Sequence, residues 1–377
     1  MTWAALLPLT IWIYMLAGHG MFWRLRERDD RIQTDDALAA WPSVVAVVPA
    51  RDEAPVIQET ISSLLRQDYP GPFRVILVDD QSTDGTAEKA HALGNSDRLQ
   101  ILGGRTRPQG WAGKLWAMRQ GVDRASEYTP EYILFTDADI SHSLDNLRRL
   151  VVRAEKEKRV LVSLMARLWC ESFAEKLLIP AFVFFFDMLF PFAWVNNPSR
   201  ATAAAAGGCM LVRRTALDSA GGLDAIRGAI IDDCALARLL KPKGPIWIGL
   251  TERARSIRPY GEMNEIRRMI VRSAYAQLNY SIFVLIGTVL GMLLVFAVAP
   301  LIAIFATGFA RLGAGAAWAL MTLSYLPMLR FYRLSPAWGL ALPLTAALYT
   351  VFTVESAIQF WRGRGGMWKG RAQAIAS

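Results

Sequence analysis

The sequence predicts an α/β domain built on a parallel sheet and flanked by apolar helices, and two observations predict it. Between residues 41 and 260, short β-branched runs alternate with segments whose apolar residues recur at helical spacing. Each of three such runs ends in a polar cluster, the place where sheets of this kind bind ligands. The first run, SVVAVV at 43–48, leads into PARDEA and then into helical spacing over 57–66. The second, RVILV at 74–78, ends in DDQSTDGT, and the third, YILF at 132–135, ends in TDADI. Strands apolar on both faces belong to a parallel sheet covered by helices on each side.

The 377 residues are 53% hydrophobic and 20% charged, and the apolar excess lies mostly outside that domain. Residues 2–23 are about long enough to cross a hydrocarbon core of roughly 30 Å. They lack the basic start and small-residue cleavage site of a signal peptide, so a retained anchor is expected. Arg24, Arg26 and Arg28 follow directly, which places the next domain on the cytoplasmic side. Three cysteines, Cys170, Cys209 and Cys234, do not make a disulfide framework and agree with that side.

After the globular region, residues 261–279 read as an amphipathic linker and residues 280–361 as a membrane region. Within it, 281–307, 314–329 and 338–360 are candidate spans, the last two interrupted by Pro327 and Pro343. A basic tail over 362–377 closes the sequence, and the side on which it lies is left open. A further apolar run over 177–195 contains Pro180, Asp187 and Pro191, which make it a poor span. An interfacial element is expected there, with a buried core helix as the alternative. The net charge of +9 lies beside apolar segments, so anionic lipid headgroups fit it better than nucleic acid.

Asp80 follows the second strand and is placed to accept hydrogen bonds from a ribose or base, whereas Asp84 and Gly85 read as turn chemistry. Asp137 and Asp139 are two residues apart and share one side while the chain stays extended. Two such carboxylates at a buried strand end repel unless a cation or proton lies between them, and Mg²⁺ or Mn²⁺ carrying phosphates answers this. Gly110, Gly113 and Lys114 open an apparent helix whose N–H groups suit a phosphate. The Walker glycine spacing and its Ser or Thr are missing. Gly207 and Gly208 permit close approach of backbone to a ligand, or a tight strand entry. Asp232 and Asp233 interrupt an apolar run and read locally as a helix start, with Ala235, Leu236, Leu239 and Leu240 as the buried face.

The ordered set VVPARDEA, VDDQSTDGT, TDAD, GGCMLVRRTAL and IDDCALA resembles the family 2 glycosyltransferases of the GT-A fold. The anchor, LMARLWCESF, the Phe-rich segment and IDDCALARLL resemble the hopanoid-biosynthesis-associated branch, and the likeness covers nearly the whole chain. The resemblance implies a Rossmann-like nucleotide-sugar-binding domain and an enzyme of hexosyltransferase type in a bacterial inner membrane. It puts Ala50, Arg51, Glu53 and Asp80 around the donor nucleotide, and Asp137 and Asp139 at the sugar and the metal. Asp233 falls on the base that deprotonates the acceptor, with Asp232 in place of the motif's glutamate, and Arg272 is similar in position to an arginine at the diphosphate; the residues themselves put Lys114 at the donor phosphate and Gly207, Gly208 and Cys209 on the acceptor side. The QxxRW motif of processive synthases is only partly present, with Met269 and Ser273 replacing its glutamine and tryptophan. The implied reaction moves a sugar from a nucleotide donor to a membrane lipid, a hopanoid by resemblance. Polyprenyl phosphate or diacylglycerol as acceptor and a non-catalytic membrane adaptor are the alternatives.

Overall fold

The structure, a computed structural model, describes residues 2–30, 38–94, 96–368 and 371–372. It divides into a globular unit, 27–169 with 194–259 and the end of the chain from 367, and an apolar unit, 1–26 with 170–193 and 260–366.

Eight strands form the sheet of the globular unit: β1 (Val44–Ala50), β2 (Phe73–Asp79), β3 (Leu99–Gly103), β4 (Tyr132–Thr136), β5 (Ile140–His142), β6 (Leu161–Arg167), β7 (Cys209–Arg213) and β8 (Ile246–Ser256). They lie in the order β3-β2-β1-β4-β7-β6-β8-β5. The three strands expected from the sequence are β1, β2 and β4, and they pair in parallel. The sheet as a whole is mixed, however, because β7 runs antiparallel to β4 and β6, and β5 antiparallel to β8. Strand β7 begins at Cys209, directly after the strand entry offered as one reading of Gly207 and Gly208, and the other four strands were not anticipated. β3 and β5 lie at the edges, and β8 carries Thr251, Glu252, Arg253 and Arg255, so polar residues mask its strand character.

Every residue of β1 is buried, as a central strand covered on both faces requires. One cover is the helix Gly113–Ala125, which lies against β1 and β2. Its closest approach is at Gly121, where an added Cβ would stand 2.3 Å from Val47 Cγ1 and 3.2 Å from Val78 Cγ2. This contact sets how deeply the helix seats, and with it the position of Lys114 at its start.

Among the described residues of the apolar unit, Ile282–Phe305, Gly308–Phe331 and Pro336–Trp361 are long and apolar enough to cross a membrane. The first contains a π-helical stretch, Leu293–Ala297. Pro327 stays inside its helix, whereas Pro343 sits within Pro336–Trp361 where the 3-10 helix Pro336–Ala341 passes into the α-helix Leu342–Trp361, a helix start that tolerates its missing N–H. The amphipathic linker is a helix, Met263–Gln277. The N-terminal helix is shorter than expected: Thr2–Ala17 spans about 24 Å rather than the ~30 Å of a full crossing. Gly18 and Gly20, the latter at φ 65°, break it before a short 3-10 turn at Phe22–Arg24. The basic tail falls partly outside the described residues.

The 177–195 segment belongs to a helix that begins earlier, at Phe173, because Ser172 and Glu175 form a capping box. Glu175 also accepts the Tyr260 backbone N–H at 2.7 Å. Leu177 to Ala181, Val183, Phe184 and Asp187 are buried, and Tyr349 donates its hydroxyl to the Leu178 carbonyl at 2.9 Å. Residues 177–189 thus lie in a helix with one face buried inside this unit. Asp187 accepts the Phe192 N–H at 2.9 Å across the Pro191 break.

Gly121→Ala tests the seat of the helix Gly113–Ala125. Alanine improves helix propensity by about 1 kcal/mol, but overpacking a full core costs about 1–3 kcal/mol. With Val47 at 2.3 Å the second effect wins, and chemical unfolding of the variant is expected to show a net loss of about 1–2 kcal/mol. A gain in stability would show that the helix is not seated on β1 as described.

Candidate active site

The polar clusters at the strand ends meet around one lysine. Lys114 is the second residue of the helix Gly113–Ala125, and Gly110, at φ 83°, turns the chain into it. Its ammonium stands 2.7 Å from Asp137 Oδ1 and 3.0 Å from Asp232 Oδ2. Burial alone lowers the proton affinity of this lysine, but Asp137, Asp232 and then Asp233 outweigh it and the net shift is upward. Lys114 therefore stays charged, and its charge is what lets these carboxylates share one site.

Asp232 and Asp233 open the helix Asp232–Leu240, as the local reading expects, but neither is its N-cap. Ile231 holds that position, and the buried face is Cys234, Leu236, Ala237 and Leu240: Leu236 and Leu240 are buried as the spacing predicts, whereas Ala235 and Leu239 are half-buried and Cys234 and Ala237 take their place. The two aspartates turn to different partners. Asp232 pairs with Lys114; Asp233 Oδ2 accepts the Gly207 N–H at 2.9 Å, and its Oδ1 accepts the Cys234 N–H at 2.7 Å. Burial first and the Asp232 charge second raise the proton affinity of Asp233, against the opposing pull of Lys114. Gly207 leaves this approach uncrowded, since a Cβ there would stand 3.2 Å from Lys114 Nζ and 3.3 Å from Asp233 Oδ2 and both side chains would have to give way by a few tenths of an ångström.

Asp137 and Asp139 do not sit on an extended chain. Residues 138–139 form a turn between β4 and β5, so the two carboxylates find different cations. Asp139 Oδ2 accepts from Ser256 Oγ at 3.2 Å and from Arg258 Nε at 3.3 Å, and Arg258 also pairs with Glu53. Burial, reinforced by Asp137, pushes the Asp139 carboxyl up to about 6.

The ends of β1 and β2 are bound to each other. Asp80 N–H donates to the Ala50 carbonyl at 2.8 Å, and Arg51 Nη1 lies 3.8 Å from Asp80 Oδ2. Asp84 accepts the Ala54 N–H at 2.9 Å and pairs with Thr86, whose Oγ1 accepts the Glu53 N–H, so its role is the turn chemistry expected. Arg272 stands exposed on the helix Met263–Gln277 of the apolar unit.

A buried network behind these groups escaped the sequence reading. The Thr136 hydroxyl donates to the Gly208 carbonyl at 2.9 Å, so His142 Nε2–H must donate to Thr136, at 2.9 Å. His142 Nδ1 then accepts from Asn146 Nδ2 at 2.9 Å, and Asn146 also reaches Cys209 Sγ at 3.7 Å. Burial lowers the His142 pKa to about 4 and raises that of Cys209 to about 12, so both are neutral near pH 7. Cys209, expected on the acceptor side, is thus a buried strand residue that helps tie β4 to β7. Arg258 was missed as well, because it lies 119 residues from Asp139 in a stretch with no local signature.

Among the described residues no three His, Cys, Asp or Glu side chains gather as a metal cage. Two neighbouring carboxylates, one with raised proton affinity, still suit a hard divalent ion whose other positions are filled by phosphate oxygens and water. Asp137 and Asp139 would be the protein's ligands.

Lys114→Met removes the charge that Asp137 and Asp232 share. Breaking a buried pair costs about 3–5 kcal/mol, and the partial exposure of Asp137 reduces this to about 2 kcal/mol. The unfolding midpoint of the purified protein is expected to fall accordingly; an unchanged midpoint would mean the lysine is not what holds the two carboxylates in place.

Residues 45–221 match the family described as glycosyl transferase family 2. Among solved structures, the chain resembles the mannosyltransferase PcManGT from Pyrobaculum calidifontis, solved with GDP-Man and Mn²⁺, at 20% identity and a TM-score of 0.53. That match covers 94% of this chain and 99% of the other. Glucosyl-3-phosphoglycerate synthase from Mycobacterium tuberculosis matches at 21% identity and TM-score 0.39, over 62% of this chain and 80% of that one. S. aureus TarS 1–349, solved with UDP-GlcNAc, matches at 12% and 0.42, over 87% and 95%. No curated protein sequence matches the chain. The globular unit thus has the GT-A fold, and residues 45–221 within it match glycosyl transferase family 2.

Proposed function

We propose that the chain is a membrane-bound inverting glycosyltransferase that moves a sugar from a nucleotide donor to the hydroxyl of a membrane lipid. The observation that carries this reading is the position of Asp233: a half-buried carboxylate of raised proton affinity, fixed by the Gly207 and Cys234 N–H groups, beside the Lys114 and Asp137 pair. Inverting displacement needs a base for the acceptor and positive charge at the leaving diphosphate. Asp233 is the base, Lys114 faces the diphosphate, and Ala50, Arg51, Glu53 and Asp80 surround the nucleotide. Asp137 and Asp139 would hold a divalent ion, Mg²⁺ or Mn²⁺, which neutralises charge on the departing diphosphate when bound. PcManGT, with GDP-Man and Mn²⁺, supports a donor and metal of this class.

Three helices long enough to cross a membrane suit an acceptor dissolved in the bilayer, and the resemblance at the motifs favours a hopanoid. Arg24, Arg26 and Arg28 favour a cytoplasmic catalytic unit in a bacterial inner membrane. Transfer from a panel of UDP- and GDP-sugars, with Mn²⁺ and with EDTA, tests the reading. Metal-dependent turnover is expected on at least one donor, and none on any donor would leave the adaptor alternative. Comparing lipid extracts of cells with and without the protein identifies the acceptor; loss of a glycosylated polyprenyl phosphate or diacylglycerol would replace the hopanoid.

Asp233→Asn should reduce transfer by about a hundredfold or more, the contribution of a positioned base, with donor binding nearly intact. A larger loss in Asp232→Asn would transfer the base role to its neighbour.

Because the Asp233 pKa is raised, the base takes up a proton at higher pH than an ordinary carboxylate, and the rate falls as pH drops through that raised value. Asp232→Asn removes a like charge, so the acid limb of its pH–rate profile should move to lower pH. A limb that stays in place would show that Asp232 does not tune the base.

A further inference from the structure

Asp139, one of the two carboxylates assigned above to the metal, is held by a cation that belongs to the chain. Arg258 does not reach it as a loose surface side chain. The Ile257 N–H donates to the Asp139 carbonyl at 2.9 Å, and Ser256 Oγ donates to Asp139 Oδ2 at 3.2 Å. The strand end carrying Arg258 is therefore bound to the Asp139 turn by backbone and side chain together. On its other side the guanidinium pairs with Glu53, at the end of β1, so it bridges two acidic groups from two loops.

A guanidinium keeps its proton under all ordinary conditions, so it cannot yield to a second cation by becoming neutral. A divalent ion approaching Asp139 meets this fixed positive charge on a carboxylate whose Oδ2 already accepts two hydrogen bonds. Like charges at this separation in a partly buried site oppose one another.

We propose that Arg258 is a tethered counter-cation that competes with the divalent ion for Asp139, keeping metal affinity low until the donor diphosphate brings further negative charge. The proposal rests on the assignment of Asp139 as a metal ligand, and it makes Arg258 a positioning residue that sets how tightly the metal is held.

The test is direct binding of Mn²⁺ alone to the purified full-length protein, followed by electron paramagnetic resonance of the free ion, without donor and without turnover. Arg258→Gln is expected to bind Mn²⁺ more tightly than the native chain, on the order of tenfold. Arg258→Lys, whose point charge cannot bridge Asp139 and Glu53, should fall between and guards against misfolding of the glutamine variant. Adding pyrophosphate should narrow the gap between native and Arg258→Gln. Asp139→Asn should abolish the tight binding in either background. Equal or weaker binding in both Arg258 variants, with binding still lost in Asp139→Asn, overturns the competition and leaves the metal site standing. Binding insensitive to Asp139→Asn, or no binding in any form, overturns the metal assignment and the proposal with it.

Discussion

The site depends on how an acidic cluster is kept folded. Asp137, Asp139, Asp232, Asp233 and Glu53 come from three segments of the chain, and their mutual repulsion would open it without compensation. Two tethered cations supply it. Lys114 joins the end of β4 to the start of the helix Asp232–Leu240, and Arg258 joins the β4–β5 turn to the end of β1. Each cation is fixed by its own element, one by the seating of Gly121 on β1, the other by the hydrogen bonds between residues 256–258 and Asp139.

This arrangement separates two adjacent residues chemically. Asp232 is consumed by Lys114, while Asp233 turns toward Gly207 and keeps a carboxylate of raised proton affinity. A glycine at 207 keeps the space between its N–H, that carboxylate and Lys114 uncrowded. The same few ångströms therefore contain an ion pair that stabilises the fold and a group suited to accept a proton. The buried His142, Thr136 and Asn146 network lies behind them and ties the end of β4 to the entrance of β7, so that Asp137 and Gly207 keep their spacing.

The apolar unit follows a simpler rule. Its three long helices were legible from hydropathy alone because composition over about 20 residues decides whether a helix tolerates a hydrocarbon environment. Its ends were not. Gly18 and Gly20 shortened the first helix, and the Ser172–Glu175 capping box started the Phe-rich helix four residues before its apolar run. Caps and breaks are local hydrogen-bond choices that a hydropathy profile averages away.

What the sequence determined by itself was the three parallel strands β1, β2 and β4, the three helices long and apolar enough to cross a membrane, and the polar residues that follow those strands. These are patterns over neighbouring residues, where spacing is enough. Tertiary structure decided the antiparallel β7 and the choice of partner for each carboxylate. Asp137 and Asp139 looked alike in TDAD, yet the turn between them sent one to Lys114 and the other to Arg258. Arg258 itself carried no local mark, since its role arises only where β8 ends beside a loop 119 residues away. Ion pairs act through distance in space, and the sequence records only distance along the chain.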